Sequence, residues 1–484
     1  MIAGLGRALG LALAVLVCSA HVGSPDVWYE GKAGPYPVLV VVRLPGVVPG
    51  VAEVTVHVTG AAPDRVTLFV NRYDATAAAP PPEDAARVSG DSATFVGKLW
   101  VMSGGSNSVT VGVHGGKGSG TAVVPVVAVA TRRLPLYRGL GFILGAIGIF
   151  LFVGAMSIGG AAVREATLEP GQVPDPGHRR RARLAMAGTG VFVAVMLFGG
   201  WTWWNSTDAE FRQRMYRPFA VRAFVAQPGQ LTFAITDSEW LERHDANYLE
   251  QRQRTQWSPL IPDHGKLMHL FLVADTGFAF AHVHPTTADT DTFRASIPAL
   301  PSGRYRVFAD IVHESGFDHT LVATVDLPGP PSAYVPSDSD DAFSVAAPGA
   351  DGPRIRKLGS DTVKVGQPAG LRFVVPGVQP YMGMAGHAVV VRDDGSVFIH
   401  LHPMGTISSA SQMAFEMRQP GDTSYGALAR RMASMSPMQM GTISDTVSFP
   451  YAFPKPGRYM VWVQIKRNGR VLTVPFTIVS VPAS

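Results

Sequence analysis

The chain has 484 residues, of which 46% are hydrophobic and only 16% are charged. A soluble domain carries about 25% charged residues, so the composition predicts membrane-spanning segments and excludes a wholly disordered chain. The net charge is +5, but much of the excess lies in the arginines of residues 179–183, so no nucleic-acid surface is indicated. The single cysteine, Cys18, excludes a disulfide framework and any cysteine-based zinc or iron–sulfur site.

Residues 1–20 have the pattern of a secretory signal peptide. Arg7 supplies the positive charge, residues 9–17 form an apolar run, and Ala20 is the small residue before the predicted cleavage site. Two alternatives stay open, which are an uncleaved membrane anchor and a lipid-modified Cys18. The pattern predicts that the following residues are exported.

Residues 25–130 contain short valine-rich runs bounded by glycine and proline, which predicts an antiparallel β-sandwich. The predicted strands are residues 37–43, 52–59, 65–70, 93–101, 108–114 and 121–129. The Ala- and Pro-rich residues 75–86 are predicted to form a loop.

Two uncharged apolar stretches follow, at residues 139–163 and 184–207. Each exceeds the roughly 20 residues that a transmembrane helix needs, and a buried core helix is rarely so long and free of charge. The link between them, residues 164–183, carries five arginines and is predicted to be the cytoplasmic loop. Residues 21–138 and 208–484 are then expected on the outer side of a bacterial cytoplasmic membrane, in the periplasm.

The remaining chain is expected to form two β domains, residues 208–328 and 361–484, joined by a polar linker at residues 330–360. A short helix is predicted near residues 237–253. With the N-terminal domain, the fold class is mainly β: three antiparallel, Ig-like β-sandwich units and two transmembrane helices.

The two C-terminal domains carry an internal repeat. His269, His282 and His284 in the first copy match His387, His400 and His402 in the second at the same spacing. In both copies an Asp/Gly turn separates the first two histidines, Pro follows the third, and a later Gly-Arg-Tyr enters an alternating strand. The second copy has a longer insertion before that strand.

An Asp/Gly turn between two strands predicts a hairpin that brings the three histidines of each copy onto one face. Imidazole is the commonest metal-ligating side chain, so three converging histidines predict a metal site in each copy. A purely structural, hydrogen-bonded role for these histidines stays open.

Methionines near the second copy favour copper, because thioethers with imidazole select Cu(I), and also suit Cu(II), over zinc or magnesium. Met382, Met384 and Met404 are the candidate ligands. Four more methionines lie between Met432 and Met440, where an apolar lid is an equal alternative.

The first copy has His264 and Lys266 in place of Met382 and Met384. His264 and His313 are therefore predicted as further ligands of an all-imidazole first site, with His319 as an additional candidate. A role for His313 and His319 as ordinary surface histidines is equally open.

The His-x-His-Pro hairpin, the Met-x-Met-x-x-His segment and the late Gly-Arg-Tyr strand resemble bacterial periplasmic copper-handling β-sandwich modules of the YtkA-like and CopC-like kind. The resemblance covers residues 262–328 and 365–481. It implies an Ig-like sandwich that binds copper without catalysis.

The expected function is therefore a membrane-anchored periplasmic copper-binding protein that acts in copper delivery, resistance or chaperoning. A copper transporter, oxidase or metallochaperone is the expected partner besides the cytoplasmic membrane. Two alternatives stay open, a copper-dependent oxidoreductase and a metal-free membrane scaffold. No general acid–base set or second cofactor motif supports the enzyme, and no P-loop or dinucleotide fingerprint is present.

Overall fold

The computed structural model describes residues 26–60, 62–75, 80–169, 171–241, 259–349, 355–419, 422, 426–434 and 444–483. The protein is mainly β, with 43% strand and 21% helix. It divides into two compact units: Met1–Val129 with Arg217–Ser484, and Ala130–Tyr216. The predicted signal peptide, residues 1–20, lies outside the described residues, as do Met435, Met438 and Met440.

The N-terminal residues form two antiparallel sheets, with strand orders β1-β2-β3-β7-β6 and β5-β4-β8-β9. The strands are β1 Asp26–Ala33, β2 Tyr36–Arg43, β3 Gly50–Val58, β4 Arg65–Arg72, β5 Glu83–Asp84, β6 Ala86–Arg87, β7 Thr94–Val101, β8 Gly105–Gly115 and β9 Gly118–Ala128. The valines of β2 and β3 that point inward are fully buried, as the alternating pattern predicts. Strand β1 and the short strands β5 and β6 were not predicted from the sequence; the latter two occupy part of the predicted loop.

The second unit contains two long helices, α1 Arg138–Glu165 and α2 Pro176–Arg214. Both are long and apolar enough to cross a membrane, which is evidence from length and composition alone. The helices contain the predicted spans at residues 139–163 and 184–207, and α2 continues beyond its span at both ends. Glycines allow them to approach closely, since a Cβ on Gly160 would clash with the side chain of Met186.

The first C-terminal β region has two sheets, ordered β10-β11-β16-β15 and β12-β17-β13-β14-β19, with β18 paired to β17. Its elements are β10 Val221–Gln227, β11 Gln230–Ile235, α3 Ser238–Leu241, β12 Leu260–Ile261, β13 His269–Ala274, β14 Phe280–Val283, β15 Thr286–Thr287, β16 Thr292–Ser296, β17 Gly303–His313, β18 Asp318–Leu327 and β19 Ala342–Ser344. Helix α3 is the described part of the predicted helix near residues 237–253.

The second C-terminal β region has sheets ordered β20-β22-β25 and β21-β27-β26-β23-β24. Its elements are β20 Arg356–Leu358, β21 Thr362–Lys364, β22 Leu371–Val374, β23 His387–Arg392, β24 Phe398–Leu401, α4 Ser409–Met417, α5 Ala427–Ala433, β25 Thr446–Phe449, β26 Gly457–Arg467 and β27 Arg470–Val481. Strands β19 and β20 lie within residues 330–360, so the predicted linker contributes to the sheets. The described part of the insertion contains α4 and α5, and Glu314 accepts hydrogen bonds from three amides at the start of α5.

The sheet containing β13, β14 and β17 packs face to face against the sheet containing β23, β24 and β26. Their shared core consists of Phe271, Val273, Phe280, Phe308, Val389, Val391, Phe398 and Trp462. Phe280 stacks on Trp462 with ring centroids 4.7 Å apart, and Phe308 stacks on Phe398 at 4.1 Å. The opposite face of each sheet packs into a separate core. Both faces are therefore buried, which explains the unbroken apolar runs at residues 270–274 of β13 and 388–391 of β23.

Candidate metal centre

The strand register places the histidines on the shared interface. Phe271 of β13 lies opposite His282 of β14, so His269, Phe271 and His282 point to one face. Val389 of β23 lies opposite His400 of β24 in the same way. The aromatic and aliphatic side chains thus fill one part of the interface, and the histidines converge in another.

Each predicted triad is brought together. The ring centroids of His269, His282 and His284 lie 4.5 to 5.2 Å apart. Those of the second triad, His387, His400 and His402, lie 4.6 to 5.3 Å apart. All six side chains are buried, with at most 7% of any residue exposed.

The two triads also touch each other. The ring of His400 lies 5.4 Å from that of His269 and 5.5 Å from that of His282. Two hairpins that are more than 100 residues apart in sequence therefore build one continuous imidazole cluster, which the sequence did not predict.

His264 groups with histidines of the second triad and not with the first triad, where the sequence predicted it. Its ligand nitrogen groups with those of His387 and His402, all within 4.8 Å of one another. The side chain comes from a tight turn closed by reciprocal hydrogen bonds between Asp263 and Lys266. His264 has a left-handed backbone in this turn, with φ of 52°, and its ring lies 5.2 Å from that of His387.

The hydrogen bonds of the first triad define which ring nitrogens carry protons. His269 Nε2 lies 3.2 Å from the carbonyl oxygen of Asp263, which can only accept, so Nε2 donates and Nδ1 keeps its lone pair. His284 Nδ1 lies 3.0 Å from the carboxylate of Asp341 and likewise donates. His282 Nδ1 donates to Oε1 of Gln464 at 2.8 Å, because the amide nitrogen of Gln464 donates to Thr473.

The nitrogens that keep their lone pairs are consequently His269 Nδ1, His282 Nε2 and His284 Nε2. Each of the three rings offers one nitrogen to a ligand group whose atoms all lie within 4.8 Å of one another. The first two atoms are only 3.0 Å apart. His284 Nε2 is buried and has no hydrogen-bond partner within the described chain. Converging lone pairs in a buried site are repulsive unless a proton or a cation lies between them.

The second set has the same character. His402 Nδ1 donates to the carbonyl of Ile407 at 2.9 Å, which leaves Nε2 with its lone pair. In the part of the chain that the structure describes, that Nε2, His264 Nε2, His400 Nε2 and both nitrogens of His387 have no hydrogen-bond partner. Outer hydrogen bonds that fix an imidazole's tautomer and leave the inner nitrogen bare are typical of metal-ligating histidines.

Burial favours the neutral form of five of these rings. It lowers the pKa of His269, His282, His387 and His402 well below the ordinary value of 6.5, and neighbouring imidazoles lower it further. Burial also lowers the pKa of His264, although the carboxylate of Asp263 opposes the shift. Neutral imidazole is the form that binds a metal ion.

Carboxylates surround the cluster, and the sequence did not single them out. Asp263 Oδ1 lies 3.7 Å from His264 Nε2, and its Oδ2 lies 3.9 Å from His402 Nε2. Asp310 Oδ2 lies 3.6 Å from His400 Nδ1. Both carboxylates line a cavity of about 90 Å³ that also contacts His269, His400 and His402. Asp318 lines the same cavity, and burial raises its pKa to about 7.

The predicted methionine ligands lie in three separate parts of the second C-terminal β region. Met382 and Met384 are half-buried in a turn closed like that of His264, with hydrogen bonds between Tyr381 and Met384. Met404 has its sulfur 4.0 Å from the hydroxyl of Ser409. Met432, the described member of the methionine-rich segment, is buried in a cluster with α4 and β12.

His313 and His319 are buried rather than exposed, and they belong to no ligand group among the described residues. The ring of His313 lies 5.8 Å from Trp240, and that of His319 lies 4.9 Å from Phe219. These aromatic neighbours place both side chains in packed surroundings, although His319 also lines the cavity.

The chain matches the family model of a domain of unknown function, DUF8832, at residues 227–329 and 349–430. These residues include the seven histidines of the cluster. No curated protein sequence matches the chain. Among solved structures, it is similar to the ICAM-5 D1-D4 ectodomain fragment, at 9% identity over 95% of this chain and 84% of that chain, with a TM-score of 0.13.

It is also similar to the endo-fucoidan hydrolase MfFcnA4 from glycoside hydrolase family 107. That identity is 7%, over 91% of this chain and 43% of the hydrolase, with a TM-score of 0.14. TM-scores this low support no conclusion about fold or function.

Proposed function

We propose that the protein is a membrane-anchored, extracytoplasmic copper-binding protein whose metal site is the histidine cluster between its two C-terminal β regions. The observation that carries the proposal is the convergence of buried, unprotonated imidazole nitrogens. A cation between them converts their mutual repulsion into coordination, and it satisfies nitrogens that otherwise lack a partner.

Copper is favoured over other divalent metals for two reasons. The ligand set is built from imidazole with methionine nearby, whereas magnesium and calcium take oxygen ligands. Among first-row divalent ions, a nitrogen site also binds Cu²⁺ most tightly. Both Cu(I) and Cu(II) suit the imidazoles, and thioether favours Cu(I).

The sequence pattern supports an origin by duplication, with both copies as Ig-like sandwiches. Phe280 against Trp462 and Phe398 against Phe308 are stacked pairs between positions that correspond in the two copies. The resemblance to YtkA-like and CopC-like modules agrees with such units and with copper handling.

The localisation that we propose is the bacterial cytoplasmic membrane. Helices α1 and α2 would span it, and the arginine-rich link would face the cytoplasm, so that both β-rich parts lie in the periplasm. A copper transporter, oxidase or metallochaperone is the partner that this arrangement suits.

Elemental analysis of the intact protein, purified from its own membrane, tests the proposal. We expect copper at a fixed ratio to protein, and a lower ratio in His284→Ala. His57→Ala is the matched control, because His57 is hydrogen-bonded to Thr94 in the N-terminal sheets. A protein that contains no copper and binds none after exposure to Cu(I) or Cu(II) would refute the proposal.

The cavity beside His269, His400 and His402 favours a second candidate, a copper-dependent oxidoreductase, because a small molecule could reach the metal there. Oxygen consumption by the copper-loaded protein with an added reductant separates the two. Turnover would support the enzyme, and its absence would support binding without catalysis.

A further inference from the structure

We propose that the cluster holds two copper ions side by side, and that each histidine triad is capped by a residue from the other β region. His264 caps the triad of His387, His400 and His402. Met382 caps the triad of His269, His282 and His284. This inference rests on the proposed copper-binding function, and it makes the two ions chemically different.

The first argument is that contacts across the interface occur in corresponding pairs. His282 Nδ1 bonds Gln464, and His400 Nδ1 faces Asp310. Positions 282 and 400 are separated by 118 residues, and positions 310 and 464 by 154 residues. The stacked pairs Phe280–Trp462 and Phe398–Phe308 obey the same two separations. The two faces therefore meet with approximate twofold symmetry.

The second argument concerns the capping turns, which also correspond. His264 and Met382 are 118 residues apart, and both have a left-handed backbone, with φ of 52° and 49°. Each is followed by a glycine with positive φ. A non-glycine residue in this conformation costs about 1–2 kcal/mol, so its retention at both positions points to a role for the side chain.

The third argument is the direction that His264 takes. It crosses the interface to His387 and His402 rather than joining the triad of its own β region. It also forms a hydrogen bond with the backbone of Met382, so the two turns meet. Met382 corresponds to His264, and His269 and His284 correspond to His387 and His402. The same symmetry therefore directs the thioether of Met382 to His269 and His284.

The two sites then have ligands that suit different oxidation states of copper. The His264 site combines imidazoles with the nearby carboxylate of Asp263, which is 3.7 Å from His264 Nε2, and this set suits Cu(II). The Met382 site combines three imidazoles with one thioether, which suits Cu(I). The sequence alone predicted the opposite assignment, with Met382 beside the triad of its own copy.

The experiment uses the full chain in detergent, stripped of metal and titrated anaerobically with Cu(I) against a chelator. Copper content gives the number of ions, and copper X-ray absorption detects a sulfur ligand. We expect two ions per chain, with sulfur bound to the first Cu(I) taken up. In Met382→Leu the sulfur signal should disappear and the tighter Cu(I) affinity should fall about tenfold or more, while two ions still bind.

Met460→Leu is the matched control, because the sulfur of Met460 already accepts a hydrogen bond from Thr477. His264→Met should add a sulfur ligand to the second ion. Leucine keeps the bulk of Met382 and the same backbone, and circular dichroism checks that the variants fold. A chain that binds no copper would refute the proposed function. One ion per chain, or a sulfur signal that survives in Met382→Leu, would refute only the paired, cross-capped centre.

Discussion

Replacing His387 by leucine is expected to stabilise the metal-free protein and to weaken its response to copper. His387 is fully buried, and neither ring nitrogen has a hydrogen-bond partner within the described chain. Each such atom costs about 1–3 kcal/mol in desolvation, so the two together cost about 2–6 kcal/mol.

Leucine removes that cost but introduces smaller ones. Its different shape costs up to about 1.5 kcal/mol. The edge-on contact between the rings of His387 and Tyr381, 5.2 Å apart, is also lost, which costs about 0.5–1.5 kcal/mol. Taking the middle of each range, we expect the free energy of unfolding of the metal-free protein to rise by about 2 kcal/mol.

Urea-induced unfolding of the full chain, followed by tryptophan fluorescence with and without copper, measures this change. Trp462 is suitable as a reporter because it lies in the same interface. His57→Leu is the control, since His57 is hydrogen-bonded to Thr94 at 2.8 Å and its loss should destabilise by about 1 kcal/mol without changing copper binding. If His387→Leu instead destabilised the metal-free protein by several kcal/mol and left copper stoichiometry intact, the unpaired-nitrogen reasoning would be wrong.

Three other predictions address the outer ligand shell, pH and topology. Asp341→Asn should lower copper affinity about 10–100-fold, because it weakens the hydrogen-bond acceptor that orients His284. Asp340→Asn is the control and should leave copper affinity unchanged. Competition with a copper chelator measures both variants, and equal affinities would contradict the role of Asp341. The metal-free protein should lose stability below about pH 6.5, because burial lowers the pKa of His269, His282, His387 and His402 in the folded chain. Below that pH the unfolded chain binds protons that the folded chain excludes. The free energy of unfolding should then fall by up to about 1.4 kcal/mol per histidine for each pH unit. Urea midpoints that are equal at pH 7.5 and 5.5 would argue against this. A reporter fused after Ser484 should be active only outside the cytoplasm, and cytoplasmic activity would overturn the predicted topology.

Much of the local structure could be predicted from the sequence, because it depends on short-range patterns. The six predicted N-terminal strands all correspond to strands whose ends differ by at most three residues. The spacing of His282 and His284 and the Asp/Gly turn placed both with His269 on one hairpin face. Strand β1 was missed, since Trp-Tyr-Glu-Gly-Lys has no clear alternation, and it owes its order to pairing with β2.

The way in which the two triads combine into one cluster could not be predicted, because it depends on which faces of the two β regions meet. His264 was assigned to the nearest histidines in sequence, yet a left-handed turn directs it across the interface. Gln464 and Asp310 carry no motif and matter only because each faces a histidine of the opposite hairpin. Asp341 lies in residues that read as a polar linker, and strand β19 beside it pairs with the strand of His282.

A centre that draws ligands from both β regions has an energetic consequence that two separate sites would lack. Phe271, Phe280, Phe308, Phe398 and Trp462 hold the two sheets together without metal. The adjacent histidines oppose this packing, since their bare nitrogens are buried at the same interface. A bound ion removes that opposition and cross-links the sheets, so its binding free energy adds to that of the interface. Copper should therefore protect the amides of β13 and β23 from hydrogen exchange together, whereas two independent sites would protect each strand at its own copper concentration.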